Sequence, residues 1–182
     1  MSTYGPIENH VATPAGAARH GVAPKADQVP PRPASTFHPS RAFRFANRFM
    51  TTLLRAGLPI SSNYLLTVPG RKSGLLRTTP VTIVEYDGER WLTSPFGEVD
   101  WVRNLRAAGE GTLHRGHRSE VLLAQEVSPA EAAPVLKWML TEIRIPSAVR
   151  NQYLVPPDAP DASYEQEARY HPVFRLSEKP VA

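Results

Sequence analysis

Apolar and polar residues alternate along two consecutive segments of this chain, and a two-residue period predicts β-strands. The segments are 63–68 and 77–86. Asp87-Gly88 follows the second segment, and this dipeptide is typical of a tight hairpin turn. A return strand is therefore expected over residues 90–94, with Trp91 as its large apolar anchor.

A second hairpin and a final strand follow the same pattern. Residues 111–115 and 118–125 flank the turn residues Gly116-His117, and residues 171–176 form a last short apolar run. Hairpins that dominate a chain with a few flanking helices predict an α+β domain around a closed or nearly closed antiparallel sheet.

Capping signals mark where the helices begin. Ser128-Pro129-Ala130-Glu131 is a capping box with Pro at the first helical position, and it predicts a helix up to Ile143. Pro134 falls inside this helix and is expected to kink it or shift its start. A shorter helix is expected over 98–108, whereas the Pro-rich residues 144–170 are predicted to be irregular.

A further helix is predicted over residues 40–56, from a Ser40 cap to the breakers that begin at Gly57. Its arginines share one side: Arg41, Arg44, Arg48 and Arg55. This pattern fits a surface helix packed on the core through its apolar side. It also fits a basic amphipathic helix that touches a membrane surface or lines an apolar pocket.

Composition limits the class of protein. The 182 residues suffice for one domain, expected over 39–182, because residues 1–38 are rich in Pro, Ala and Gly and predict a disordered N-terminal tail. The chain has no cysteine, which excludes thiolate metal sites. A secretory signal and a membrane-spanning run are not apparent, so a cytoplasmic protein is expected, with membrane association open.

The net charge of +4 favours an anionic partner, but no nucleic-acid-binding motif is present and no nucleic-acid partner is expected. His114 and His117 lie three residues apart without an obvious third ligand, so no metal site is predicted either.

The clearest candidate for chemistry lies between the first two strands. In Gly70-Arg71-Lys72-Ser73-Gly74, two glycines enclose two cations and a hydroxyl, and Arg77 adds a third cation. Such a turn is expected to expose backbone N–H groups beside charged donors, which suits a phosphate. A solvated hairpin tip is the other interpretation, since the spacing matches neither a Walker loop nor a dinucleotide fingerprint.

Several motifs taken together resemble the deazaflavin-dependent nitroreductases, which are split β-barrel flavin/deazaflavin oxidoreductases. The resemblance covers residues 40–177 and keeps the family's order and spacing. The matching segments are Leu65-Leu66-Thr67, Gly70-Arg71-Lys72-Ser73-Gly74, Arg77-Thr78-Thr79-Pro80-Val81, Asp87-Gly88, Trp91, Trp101-Val102-Arg103-Asn104-Leu105 and Pro172-Val173-Phe174-Arg175-Leu176.

The resemblance implies a split barrel that holds coenzyme F420. Arg71, Lys72, Ser73 and Arg77 would hold the phosphate of the coenzyme, and Gly70 and Gly74 would allow close backbone approach. Contacts near the ring are implied for five further residues: Pro80, Val81, Thr93, Ser94 and Pro95. Trp101 and Asn104 lie on the helix that matches the family's cofactor-contacting helix, although Trp101 also fits a packing role.

The segment 95–100 is shorter than in many relatives, which often carry Lys and His there, and it brings two carboxylates instead. FMN therefore stays open as an alternative cofactor. The implied reaction is hydride transfer from reduced F420 to a quinone, nitroaromatic or activated alkene. Tyr153 and Tyr164, together with Tyr170, are candidates for the acceptor side.

Three other expectations remain open. The barrel could be a non-catalytic binder of a cofactor or apolar ligand, or a peripheral membrane module that acts through the helix over 40–56. The protein could also be a monomer or a homodimer, since split-barrel relatives include both.

Overall fold

The computed structural model describes residues 51–52 and 63–179. Thr51 and Thr52 are helical; the rest of the predicted helix over 40–56, the membrane contact expected from it and the boundary at 38/39 lie outside the described residues. The strands are β1 (Asn63–Pro69), β2 (Leu76–Tyr86), β3 (Glu89–Thr93), β4 (Glu110–Arg115), β5 (Arg118–Glu126) and β6 (Val173–Glu178). The helices are α1 (Asp100–Ala108), α2 (Pro129–Glu142), α3 (Ser147–Arg150) and α4 (Asp161–Ala168).

The six strands form a closed barrel in the order β1-β2-β3-β6-β5-β4. Every neighbouring pair is antiparallel, including the β1–β4 pair that completes the ring. The predicted α+β class with a closed antiparallel sheet is therefore confirmed. Because the ring closes, each of these six strands is paired on both sides.

Alternation along the strands divides the apolar residues between two cores. Ile83 pairs with Leu92 and both point into the barrel, whereas the adjacent pair Val84 and Trp91 points outward. The outward pair packs under α2 and α4, where Leu136 is fully buried. Alternate residues of one strand thus pack into the barrel interior and against the helices.

Helix α1 lies over one end of the barrel. Its residues Val102 and Leu105 are buried in the interior cluster. Gly111 lies below it, where a Cβ atom would come within 2.8 Å of the Leu66 side chain. The absence of a side chain at this position lets the helix and strands approach closely.

The opposite end of the barrel holds a polar cluster. Arg90 and Glu120 occupy inward-facing positions, opposite Leu176 and Leu113 in their respective ladders. The Arg90 guanidinium donates two hydrogen bonds to the Glu120 carboxylate, at 2.9 and 2.7 Å. Its carbon lies 5.8 Å from the centre of the Tyr64 ring, so a charged pair and an aromatic ring fill this end.

Local signals placed the turns and caps correctly. Asp87 and Gly88 both have positive φ, at 54° and 74°, as a type I′ hairpin requires. The Ser128 hydroxyl accepts a hydrogen bond from the Glu131 N–H, and the Glu131 carboxylate accepts one from the Ser128 N–H, which confirms the capping box. Helix α2 runs through Pro134 without a shifted start.

The expectation of an irregular segment over 144–170 was wrong, because α3 and α4 lie within it. Neither helix has a side-chain N-cap hydrogen bond. Packing stabilises α4 instead, since Tyr164 and Ala168 are buried beside α2 in the core between the barrel and the helices. The last strand also begins two residues later than predicted, at Val173.

Among the described residues, no helix is both long and apolar enough to span a bilayer.

Candidate functional site

The loop between β1 and β2 is a compact turn held by its own backbone. The Gly70 carbonyl accepts hydrogen bonds from the N–H groups of Ser73 and Gly74, at 3.1 and 2.7 Å. Gly74 has φ +67°, a left-handed conformation that favours glycine. A Cβ atom on Gly70 would lie 3.1 Å from the Ser73 Oγ and 3.2 Å from the Leu75 carbonyl. Both glycines therefore shape the turn itself.

Most backbone N–H groups of this loop are already paired. Gly70 donates to the Leu75 carbonyl, and Leu75 donates weakly to the Ser73 Oγ at 3.4 Å. From 70 to 75, Lys72 alone contributes an N–H with no acceptor among the described residues. The expected cradle of exposed N–H groups is therefore wrong, and anion binding here depends on side-chain cations.

Arg71 fastens the loop to α1. Its backbone N–H and its Nη1 both donate to the Asn104 side-chain oxygen, at 3.2 and 2.9 Å. The same guanidinium reaches the Asp100 carboxylate at 3.2 Å. Because two donors converge on one atom of Asn104, that atom is Oδ1 and the amide nitrogen points elsewhere. The buried amide thus has a partner, and Arg71 acts as an anchor for the loop.

Lys72 and Arg77 are the cations that the loop leaves available. Both are exposed, and neither forms an ion pair or side-chain hydrogen bond within the described part of the chain. The Ser73 hydroxyl, also exposed, keeps its proton for donation while its oxygen accepts from Leu75. Two cations and a hydroxyl, on the turn and at the start of β2, suit a phosphate or carboxylate ligand.

The two carboxylates of the short segment 95–100, Glu98 and Asp100, are both paired with arginines. Asp100 contacts Arg71, as described above, and Glu98 contacts Arg103 at 3.6 Å and also Arg106. The hydrogen bond from Arg106 lowers the pKa of Glu98 below its ordinary value. These pairs offset the negative charge that the sequence places beside the loop.

The turn after β3 is closed by Ser94. Its Oγ donates to the Gly97 carbonyl at 2.6 Å, and its N–H donates to the Pro172 carbonyl at 2.9 Å. Its own carbonyl accepts from the Gly97 N–H at 3.2 Å and faces the His171 Nδ1 at 3.3 Å. Since every polar atom of Ser94 is in use, Ser94 shapes this turn, and Pro95 and Phe96 form its half-exposed outer side.

The remaining predicted cofactor residues are more deeply placed. Val81 is buried in the barrel core, Pro80 precedes it at a half-buried position, and Thr93 is buried with its Oγ1 3.6 Å from the Met139 sulfur. Trp101 is half-buried and tilts against Phe174, with ring centres 6.2 Å apart.

Helix α1 joins the loop and the turn. Turn 94–97 leads into the helix cap within two residues, and the Val99 N–H donates to the Gly97 carbonyl at 3.0 Å. Asp100, directly after the Val99 cap, and Asn104, one turn further on, hold Arg71. The structure therefore gathers the predicted loop, turn and helix residues around α1.

The two candidate catalytic tyrosines are both buried, in different settings. Tyr164 donates from its hydroxyl to the Pro156 and Pro157 carbonyls, at 3.1 and 2.9 Å, so it supports the loop before α4. The Tyr153 hydroxyl lies near Thr93 but forms no hydrogen bond within the described part of the chain. Burial raises the pKa of the Tyr153 phenol far above its ordinary value, so the phenol keeps its proton.

Sequence reasoning missed a buried pair beside Tyr153. The His171 Nε2 lies 3.1 Å from the Glu167 Oε1, and both side chains are almost fully buried. The His171 ring packs on the Tyr153 ring with centres 4.3 Å apart. The i, i+4 spacing of Glu167 and His171 was the available signal, but it carries no information about burial.

A comparison with models of protein families identifies the class of protein. The sequence model described as F420H(2)-dependent quinone reductase matches residues 43–152, more than half of the chain. The chain belongs to the F420H2-dependent quinone reductase family. Membership makes it an F420-dependent oxidoreductase, and the exposed Lys72 and Arg77 fit an anionic coenzyme. No curated protein matches the sequence.

Several solved structures are similar to this family member. An F420-H2 dependent reductase (FDR-A) is 22% identical, with a TM-score of 0.43 over 64% of this chain and 94% of its own. A protein described as a domain-swapped dimer is 20% identical, with a TM-score of 0.44 over 76% and 100%. A NimC/NimA family protein from Clostridium acetobutylicum is 10% identical, with a TM-score of 0.42 over 72% and 82%.

The family match includes β1 to β5, α1 to α3 and both anchoring contacts of Arg71. It ends just before Tyr153, so α4, β6 and the Glu167–His171 pair lie beyond it.

Proposed function

We propose that this protein reduces a small electron-poor acceptor, a quinone above all, with hydride from reduced F420. Family membership gives the cofactor and the class of reaction. Lys72 and Arg77 carry the assignment of the cofactor site, because they are exposed and unpaired within the described residues. Lys72 lies on the turn that Arg71 fixes to α1, and Arg77 lies at the start of β2 beside it. Nitroaromatics and activated alkenes are further candidate acceptors.

In this proposal the β1–β2 loop binds the phosphate of the coenzyme. Lys72 and Arg77 supply charge, and the Ser73 hydroxyl supplies a hydrogen bond. Arg71 has a different role, since its contacts with Asp100 and Asn104 hold the other three groups in place. The amide nitrogen of Asn104 has no protein acceptor among the described residues and serves as a further donor.

The ring is proposed to lie against the outer side of turn 94–97 and the β2 positions Pro80 and Val81. Reduced F420 supplies a hydride when bound. A quinone that accepts the hydride needs one more proton to become a hydroquinone, and solvent can supply it. The protein need only bind, orient and exclude water, which suits a site whose polar groups are mostly paired with one another.

The acceptor is proposed to bind on the side of the segment that begins at Tyr153. Leu154, with 70% of its surface exposed, follows Tyr153 and offers apolar contact. Tyr153 contributes a protonated phenol that lies buried near Thr93, behind the exposed Leu154. Tyr164 is proposed to act through support of this segment, because its hydroxyl is bonded to Pro156 and Pro157.

The first test is a binding titration with the variant Lys72→Ala/Arg77→Ala. F420 is added to the protein while the emission of its three tryptophans is followed, with FMN in parallel. Removal of two charge-assisted contacts, each contributing on the order of 1.5 kcal/mol, is expected to weaken F420 binding by about 100-fold.

The matched control is Arg118→Ala/Arg144→Ala, which removes the same charge from exposed positions outside the loop. It is expected to bind F420 like the parent. Equal losses in both double variants would assign the effect to net charge and contradict the loop assignment. Turnover of quinones and nitroaromatics with reduced F420 then tests the acceptor, and binding without turnover of any acceptor would contradict the reductase proposal.

A further inference from the structure

We propose that Glu167 and His171 are positioning residues that hold turn 94–97 for the cofactor through the proton on Nδ1 of His171. The inference rests on the proposed function, because it takes this turn as one wall of the cofactor site. Both residues lie beyond the part of the chain that the family match covers.

The pair connects four segments through very few atoms. The Glu167 Oε1, on α4, accepts a hydrogen bond from the Leu154 N–H at 2.9 Å and faces the His171 Nε2 at 3.1 Å. The other ring nitrogen, Nδ1, faces the Ser94 carbonyl at 3.3 Å. The acceptor-side segment, α4, the start of β6 and the cofactor-side turn therefore meet at one carboxylate and one imidazole.

The positions of the acceptors fix where the protons lie. A carbonyl oxygen can only accept, so the contact with Ser94 requires a proton on Nδ1 of His171. The shared proton between Nε2 and Oε1 can lie on either atom, which gives an ion pair or two neutral groups. Nδ1 keeps its proton in both cases. A neutral His171 with its only proton on Nε2 would instead place the lone pair of Nδ1 against a lone pair of the Ser94 carbonyl oxygen.

Burial makes this arrangement consequential. The side chains of His171 and Glu167 expose 5% and 7% of their surface, so water cannot easily replace a lost partner. Turn 94–97 also packs closely on the segment before β6, because a Cβ on Gly97 would lie 3.2 Å from the Tyr170 carbonyl. Glu167 thus acts on the Ser94 turn through the imidazole, because the proton that it shares with Nε2 leaves the second proton on Nδ1.

Two substitutions of His171 separate positioning from packing. In His171→Asn the side-chain amide can donate to the Ser94 carbonyl from the place of Nδ1, but it cannot reach Glu167. In His171→Gln the longer side chain can reach Glu167 but not Ser94. Both variants lose the ring contact with Tyr153 and the same titratable group, so a purely structural role predicts similar effects.

Glu167→Gln provides a third, nearly isosteric variant. The Leu154 N–H needs an acceptor at the position of Oε1, so the amide of the glutamine side chain places its oxygen there. The same oxygen then faces the His171 Nε2. A neutral His171 then carries its proton on Nε2 and loses the bond to Ser94. We therefore expect Glu167→Gln to resemble His171→Gln, although residue 167 does not contact the turn.

The experiment measures F420 affinity by fluorescence and the His171 tautomer by long-range proton–nitrogen NMR of the free protein. The parent is expected to show a protonated Nδ1, and Glu167→Gln a protonated Nε2 only. Glu167→Gln and His171→Gln should each weaken F420 binding about tenfold, and His171→Asn by less than about threefold. Thermal melts identify any variant that fails to fold.

Two results would overturn the inference. One is an unprotonated Nδ1 in the parent, which needs no cofactor to observe. The other is equal F420 affinity for folded His171→Asn and His171→Gln. If the parent itself does not bind F420, the proposed function fails, whereas the NMR result still decides whether Glu167 sets the tautomer.

Discussion

At the scale of single residues, Asn104 has the most specific geometry in the site. It is buried, and its one oxygen accepts from both the backbone and the guanidinium of Arg71. A buried amide without partners would destabilise the fold, whereas here it fixes the loop that carries Lys72. We therefore propose that Asn104 contributes to cofactor binding largely through Arg71.

We predict that Asn104→Ala lowers the free energy of unfolding by about 2 kcal/mol, because it leaves the Arg71 backbone N–H without an acceptor and removes one of the two acceptors of its Nη1. Urea denaturation measures the loss. Asn104→Asp is the matched control, since it keeps an acceptor oxygen at the same place and should lose less. If the two variants were equally destabilised, the contact with Arg71 would not be the reason for the burial of Asn104.

At the scale of elements, turn 94–97 depends on a glycine with two constraints. Gly97 has φ +70°, and a Cβ there would lie 3.2 Å from the Tyr170 carbonyl. Gly109, at the other end of α1, has the same φ of +70° but no atom within 4 Å of such a Cβ. The two positions differ in crowding and share backbone conformation, so they form a natural comparison.

Gly97→Ala is expected to destabilise the protein more than Gly109→Ala. Both substitutions cost about 1 kcal/mol for a left-handed non-glycine residue, and Gly97→Ala adds the contact with a backbone carbonyl that cannot rotate away. Thermal unfolding of the two variants gives the difference. Equal melting temperatures would mean that the segment at Tyr170 gives way, and so that the turn is not firmly held.

The elements also show what the sequence could predict and where it could not. Hairpins were predictable because Asp87-Gly88 and the flanking alternation act over a few residues. Helix α4 was missed because its stability comes from packing of Tyr164 and Ala168 against a helix that starts some 30 residues earlier. The loop at Lys72 was found from its residue types, whereas its anchor on Asp100 required the folded chain.

At the scale of the whole molecule, the two ends of the barrel have separate tasks. Helix α1 covers one end, with the β1–β2 loop attached to it, and Arg90, Glu120 and Tyr64 fill the other. The Arg90–Glu120 pair spans the interior between β3 and β5, strands that are not neighbours in the ring. Its contribution is therefore expected in stability, with little effect on the cofactor site.

We predict a favourable coupling of about 1 kcal/mol between Arg90 and Glu120, measured by urea unfolding of Arg90→Ala, Glu120→Ala and the double variant. The bidentate geometry favours the pair, while partial exposure of both side chains, at 26% and 40%, limits its strength. High salt should reduce the coupling. F420 affinity should stay within about twofold of the parent in all three variants, because the pair lies at the end of the barrel away from α1. A large loss of affinity in a fully folded variant would show that the two ends are coupled, and the division of tasks would then be wrong.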